Sequence, residues 1–211
     1  DEKLYLDSKN IDFSKYEEAE NYYTEALSLI IDMGAAGSES HGTTLINYGT
    51  CLSNWQKYDE AVEMFGMAAS ILAGLGMSND YRMAALYNNI SWVYQEQGNL
   101  EDAIEFLNKA LFLLNAIPDC EGERAATYTN LANLYWEQGL LDEAKVTLLK
   151  AIEVYKEEVY LRGEGRYAAA IASLANIYFS EEVYDKAARL CEEAMKEIEA
   201  EFGQNDAYKV I

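Results

Sequence analysis

Small residues return along this chain at a nearly constant interval, with larger apolar residues set around them at helical spacing. Five short blocks align: Tyr16-Glu17-Glu18-Ala19, Tyr58-Asp59-Glu60-Ala61, Leu100-Glu101-Asp102-Ala103, Leu141-Asp142-Glu143-Ala144 and Tyr184-Asp185-Lys186-Ala187. Their alanines lie 42, 42, 41 and 43 residues apart. A second alanine follows each by seven residues (Ala26, Ala68, Ala110, Ala151 and Ala194), and a third small series runs Gly49, Ser91, Ala132 and Ala175. Three series in one period predict a repeat architecture. Between them, Leu45, Tyr48 and Leu52; Tyr87, Ile90 and Tyr94; Tyr128, Leu131 and Tyr135; and Ile171, Leu174 and Tyr178 sit at i, i+3 and i+7. That is one stripe of a 3.6-residue helix. Ala103, Leu107, Ala110 and Leu114 repeat the pattern on a second helix. Each period then reads as two antiparallel helices, A and B, that cross closely where side chains are small, so ridges enter grooves.

Glycine and acidic punctuation sets the boundaries. Gly98-Asn99 and Gly139 mark the turn from A to B, and acidic residues open helix B where the helix dipole favours them. Gly34 to Gly37, Gly74 to Gly76, Ile117 to Gly122 and Gly163 to Gly165 separate the repeats. Helices are expected at about 2–13, 16–33, 39–54, 58–74, 79–97, 100–115, 121–138, 141–160, 165–181 and 184–202. The expected organisation is a single array over 1–211, with repeats at about 1–36, 37–77, 78–119, 120–162 and 163–203, and the start of a further helix or cap at 204–211. Asp1 enters mid-helix, and Asn205-Asp206-Ala207-Tyr208-Lys209 echoes Asn79-Asp80-Tyr81-Arg82. Solenoids need polar caps, so continuation beyond Ile211 is expected.

The arrangement resembles the tetratricopeptide repeat family over essentially the whole chain. The usual unit has about 34 residues, and the longer unit here adds about one turn to each helix. It is similar to the repeats of kinesin light chain. Tyr87-Asn88-Asn89-Ile90, Tyr128-Thr129-Asn130-Leu131-Ala132 and the helix-A starts His41, Arg82, Arg124 and Arg166 carry that likeness. The resemblance implies an all-α solenoid, a right-handed superhelix of about five stacked antiparallel pairs. Its A helices would line a concave side and its B helices a convex one.

Composition narrows the function. Thirty-seven acidic residues against 16 basic give a formal net charge of −21. Such a surface repels phosphate backbones and anionic membranes, so neither nucleic acid nor membrane is expected as a partner. Cys51, Cys120 and Cys191 form no CxxC pair and read as small buried hydrophobes. With no signal peptide at the start and no apolar run long enough to span a bilayer, a cytoplasmic setting is expected.

Candidate chemistry is what the packing stripe leaves over. On the second repeat that is Thr43, Ile46, Asn47, Thr50, Ser53 and Asn54; later repeats add Asn88, Asn89, Trp92, Asn130, Asn133, Trp136, Asn176 and Phe179. Asparagine is a mediocre helix former, so its recurrence mid-helix asks for a reason. Its amide both donates and accepts, matching an extended peptide backbone. Groove asparagines of kinesin light chain and of bacterial peptide-sensing repeat proteins are similar. Two readings stand: these amides contact a ligand, or they bond to one another and tie the solenoid. Trp92, Trp136 and Phe179 likewise anchor a partner's apolar side chains or pack back between neighbouring A helices. Ile46, Asn88, Thr129 and Ala172 occupy the sites where chaperone-tail binders place a cationic clamp, so no such clamp is expected. His41 is the only histidine, and phosphate-loop, dinucleotide and metal-ligand spacings are absent. The expectation is a non-enzymatic adaptor without cofactor, binding a neutral to mildly basic protein or peptide segment. A self-assembly module forming homo-oligomers, and a sensory segment of a larger bacterial regulator, are the alternatives.

Overall fold

The small-residue series decides where helices touch. The structure, a computed structural model, describes residues 13–163 and 165–203. Nine α-helices run through the described residues: α1 (Phe13–Asp32), α2 (Glu39–Asn54), α3 (Tyr58–Gly74), α4 (Tyr81–Glu96), α5 (Leu100–Leu114), α6 (Glu121–Glu137), α7 (Leu141–Glu157), α8 (Arg166–Ser180) and α9 (Tyr184–Phe202). A 3-10 turn, Val159–Arg162, follows α7. The helix expected at 2–13 falls almost wholly outside the described residues, as does the further helix start at 204–211. No helix of the described residues is long and apolar enough to cross a membrane.

Three boundaries differ from expectation by two residues or more: α1 is already helical at Phe13 rather than from 16, and the other two differ for local reasons. Helix α4 begins at Tyr81 because Asp80 is its cap, accepting a hydrogen bond from the backbone N–H of Arg82 at 2.9 Å. Helix α7 stops at Glu157, and the tighter turn after it tucks Leu161 against α6. A Cβ on Gly122 would lie 3.2 Å from Leu161 Cδ2.

The chain forms two compact units, one ending at Gln97 and one beginning at Gly98. In the first, α1 packs on α2, α2 pairs with α3, and α3 carries α4. The α2–α3 crossing is the closest approach the sequence anticipated. Gly49 faces the fully buried ring of Phe65, flanked by Ala61, Ala68 and Leu72. In the second unit the pairs are α6–α7 and α8–α9, with α5 on α6 and α7 on α8. Its core joins Ala132, Ala144, Leu148, Ala151, Tyr155, Tyr167, Ile171 and Ala194. Burying a side chain the size of leucine or phenylalanine contributes about 1.5–3 kcal/mol, so these seams hold each hairpin to the next. The fold is all-α and of the solenoid type.

Most A helices bury two stripes rather than one. On α4 the buried positions are Met83, Ala84, Leu86, Ile90, Ser91 and Val93, while Tyr87 and Tyr94, expected in the core, are half-buried at its edge. A helix packed on two sides needs two apolar faces, and the second displaces the tyrosines.

The A-to-B turns share one geometry. Gln56, Gly98, Gly139 and Glu182, equivalent in the repeat, all have φ between 62° and 77°. In the first turn the Lys57 N–H reaches Leu52 O at 2.9 Å and the Gln56 N–H reaches Ser53 O at 3.0 Å. This is the Schellman closure, whose left-handed residue favours glycine. Polar ties then link the start of one B helix to the turn of the next repeat. Lys57 Nζ meets Glu20 at 2.9 Å, Gln97 donates to Asp59 at 3.1 Å, and Lys145 Nζ meets Glu181 at 2.5 Å.

Candidate functional site

Helix α2 presents Asn47, Thr50 and Asn54 to solvent, because Leu45, Tyr48 and Leu52 take the opposite face into the core. Helix α4 sets half-buried Asn89 beside Trp92, whose ring is 40% exposed. Thr50, Ser53, Asn54, Phe65, Asn89 and Trp92 line an open cleft of about 200 Å³. Its polar atoms are amides and hydroxyls, and its apolar floor is the ring of Phe65. Ser53, expected on the groove, is buried instead and donates to Gly49 O at 2.8 Å. It reaches the cleft only at the edge. Thr50 likewise donates to Ile46 O at 3.0 Å, leaving its oxygen to accept.

In the second unit α6 carries exposed Asn130, half-buried Asn133 and Trp136, which is 47% exposed. Helix α8 carries exposed Asn176 and Phe179. The Phe179 ring packs edge-on against Tyr184 at 5.5 Å between centroids, yet stays 64% exposed. It leans onto its own hairpin and still offers a face.

The asparagines separate into two groups. Asn88 Nδ2 donates to Ala84 O at 3.0 Å on its own helix, as Asn108 does to Ile104 O on α5. Among the described residues Asn47, Asn89, Asn130, Asn133 and Asn176 make no side-chain hydrogen bond.

At the helix-A starts the side chains of His41, Arg82 and Arg124 fix their turns. His41 Nδ1 accepts from the Gly37 N–H at 3.0 Å. Arg82 pairs with Asp80 at 2.8 Å and also with Glu39, and those Arg82 bonds hold the Asp80 carboxyl below the usual carboxylate range. Arg124 pairs with Glu121 at 3.3 Å. At the end of the first face, Tyr58 donates to the exposed Glu96 carboxylate at 3.4 Å; burial first, and that carboxylate second, push the phenol up. Of the cysteines, Cys120 is buried and Cys51 half-buried, but Cys191 is exposed, against expectation, because α9 turns it to solvent.

Phe65, the cleft floor, is hidden in the sequence because its ring matches the core stripe. A cation cluster on α7 and α9 (Lys156, Lys186, Arg189) is not among the expected site residues; its signal in the sequence is the i, i+3 spacing of Lys186 and Arg189 in so acidic a chain.

Comparison with known proteins places these faces in a family. Tetratricopeptide repeat models match residues 40–116 and 82–157, and another of the same description matches 167–208. A sequence search of the curated proteins finds no match. Among solved structures, BtubC (BKLC) from P. vanneervenii superposes with a TM-score of 0.78 at 20% identity, covering 91% of this chain and 76% of that one. A Podospora anserina putative kinesin light chain with nearly identical TPR-like repeats gives 0.71 at 18% identity, covering 89% of each chain. MamA gives 0.62 at 17% identity, covering 90% of this chain and 96% of that one. At these identities the likenesses speak for the fold alone, whereas the family models match most of the chain. The chain belongs to the tetratricopeptide repeat family, whose stacked hairpins are protein-interaction scaffolds.

Proposed function

We propose that this chain binds an extended peptide segment of a partner protein along its A-helix faces. The observation that carries this reading is the set of asparagines at Asn47, Asn89, Asn130, Asn133 and Asn176, accessible and without a side-chain hydrogen bond among the described residues. An accessible amide without a partner among the described residues is poised to pair with a peptide N–H and C=O. Beside those amides, Trp92, Trp136 and Phe179 supply flat apolar surface for alternate side chains of the segment. Asn88 plays a smaller part, since its amide nitrogen is spent on Ala84 O. Exposed Glu96 and Glu137, within a net charge of −21, favour a neutral to mildly basic segment and disfavour nucleic acid and anionic membranes. Three free thiols fit a reducing compartment, the cytoplasm.

A peptide array probed with the full chain tests this. Captured peptides should lose binding to an Asn89→Ala, Asn130→Ala double variant while its helical melting temperature moves little. Undiminished capture by that variant would remove the mechanism. If the chain instead dimerises with its A-helix faces buried, self-assembly is its role and the peptide reading fails.

A further inference from the structure

In an acidic chain, cations that find no carboxylate are conspicuous. Lys186 and Arg189 on α9 make no ion pair with any described residue; the Lys186 ammonium rests 5.0 Å from the Tyr178 ring centroid. Both border a second cleft of about 300 Å³ in the unit that begins at Gly98, between α7 and α9 with α8 as its floor. Leu149, Ile152, Ile171 and Leu174 supply its apolar wall, and Lys156 completes a cationic rim. The lining carboxylate, Glu193, accepts from the Tyr167 hydroxyl at 2.9 Å.

The repeat alignment explains why the cleft is open and basic. Ile171 stands where Tyr128 stands one repeat earlier, and the half-buried Tyr128 ring, with Lys150 Nζ 5.6 Å from its centroid, is larger. Lys186 stands where Glu143 does, and Arg189 where Val146 does. One exchange removes a ring; the other two replace an acid and an apolar side chain with cations. On α8, at about 100° per residue, the wall residues lie nearly opposite Asn176, so this cleft is separate from the asparagine face.

We propose that this cleft is a second docking site, taken by an acidic peptide segment with an aliphatic anchor from a partner protein. The anchor lies against exposed Leu149, above the buried Ile171 floor, and flanking carboxylates meet Lys186 and Arg189. Charge complementarity selects this occupant, since the chain's overall charge would repel it everywhere else. Exposed arginine also suits carboxylate through its planar fork.

The test is fluorescence anisotropy with a labelled heptapeptide alternating leucine and glutamate, against the same peptide with glutamine for glutamate. The full chain should bind the acidic probe at least about tenfold more tightly at low ionic strength. Bulk charge acts in the opposite sense, so such a preference reports the cleft. Lys186→Glu with Arg189→Glu should abolish the preference. Ile171→Tyr, which imports the side chain of the preceding repeat, should weaken both probes. Lys196→Glu, exposed and outside the cleft, should leave binding unchanged. Circular dichroism checks that each variant is folded; should Ile171→Tyr unfold, the surface pair carries the test alone. Equal binding of the two probes, or undiminished acidic-probe binding after the double reversal, overturns the proposal. So does a concentration-dependent dimer in sedimentation that the double reversal dissolves, since a second copy would then fill the cleft.

Discussion

The α-carbon of Gly49 lies so close to the Phe65 ring that a Cβ there would fall 2.6 Å from Cε1. Real Cβ atoms do not approach an aromatic carbon that closely, and Phe65 is fully buried with little room to yield. The contact fixes the spacing of α2 and α3 and places the ring beneath the cleft that Trp92 and Asn89 border. Gly49→Ala is therefore expected to destabilise the chain by about 1–3 kcal/mol. Because the strain lies against one ring, Phe65→Leu in the same molecule should cost less than it does alone. Thermal melts of the two single variants and the double give the coupling directly.

The turn positions make a second prediction. Gln56 and Glu182 hold φ of 64° and 62° where the equivalent repeats use glycine. Left-handed geometry costs a residue with a Cβ about 1–2 kcal/mol. Gln56→Gly and Glu182→Gly should each raise stability by up to about 1 kcal/mol, while Gly98→Ala and Gly139→Ala should lower it by about 1–2 kcal/mol. Denaturant midpoints would show the opposite signs, and a loss of stability from either glycine substitution would refute the strain argument.

Asp80 gives a pH-dependent test. Its carboxylate caps α4 and holds Arg82, and those bonds lower its pKa from 3.8. A lowered folded pKa means the stabilisation is fully present above the unfolded value and fades as pH falls through the folded one. Asp80→Ala should thus cost about 1 kcal/mol near neutral pH. The gap between variant and parent melts should hold down to about pH 4 and narrow only below 3.8.

Helix placement was readable in the sequence because the small-residue series, the glycines and the acidic starts all give the same period. α2 and α3 fall at 39–54 and 58–74 as expected, since Ser38 caps one and the Gln56 turn separates them. The faces were read less well. A single i, i+3, i+7 stripe describes α2, but α4 buries residues toward two neighbours, so Tyr87 and Tyr94 slip to the edge while Leu86 and Val93 go inside. Ser53 was hidden by a bond that periodicity does not encode, from its hydroxyl to the carbonyl of Gly49 one turn back. The cleft on α7 and α9 arises from differences between repeats, Ile171 for Tyr128 above all, which the common period does not encode.

Trp92 can report on the peptide-binding proposal from inside the site. The chain has three tryptophans. Trp55 is half-buried and stacks on Tyr16 at 5.9 Å between centroids, so Trp55→Phe keeps an aromatic ring in that contact, and Trp136→Phe leaves Trp92 as the sole indole. Titrating that variant with an array-selected peptide should blue-shift the emission, shield the indole from acrylamide and saturate, and Asn89→Ala should weaken the response by about tenfold or more. Peptide binding with Trp92 emission and quenching unchanged would contradict the proposed binding face.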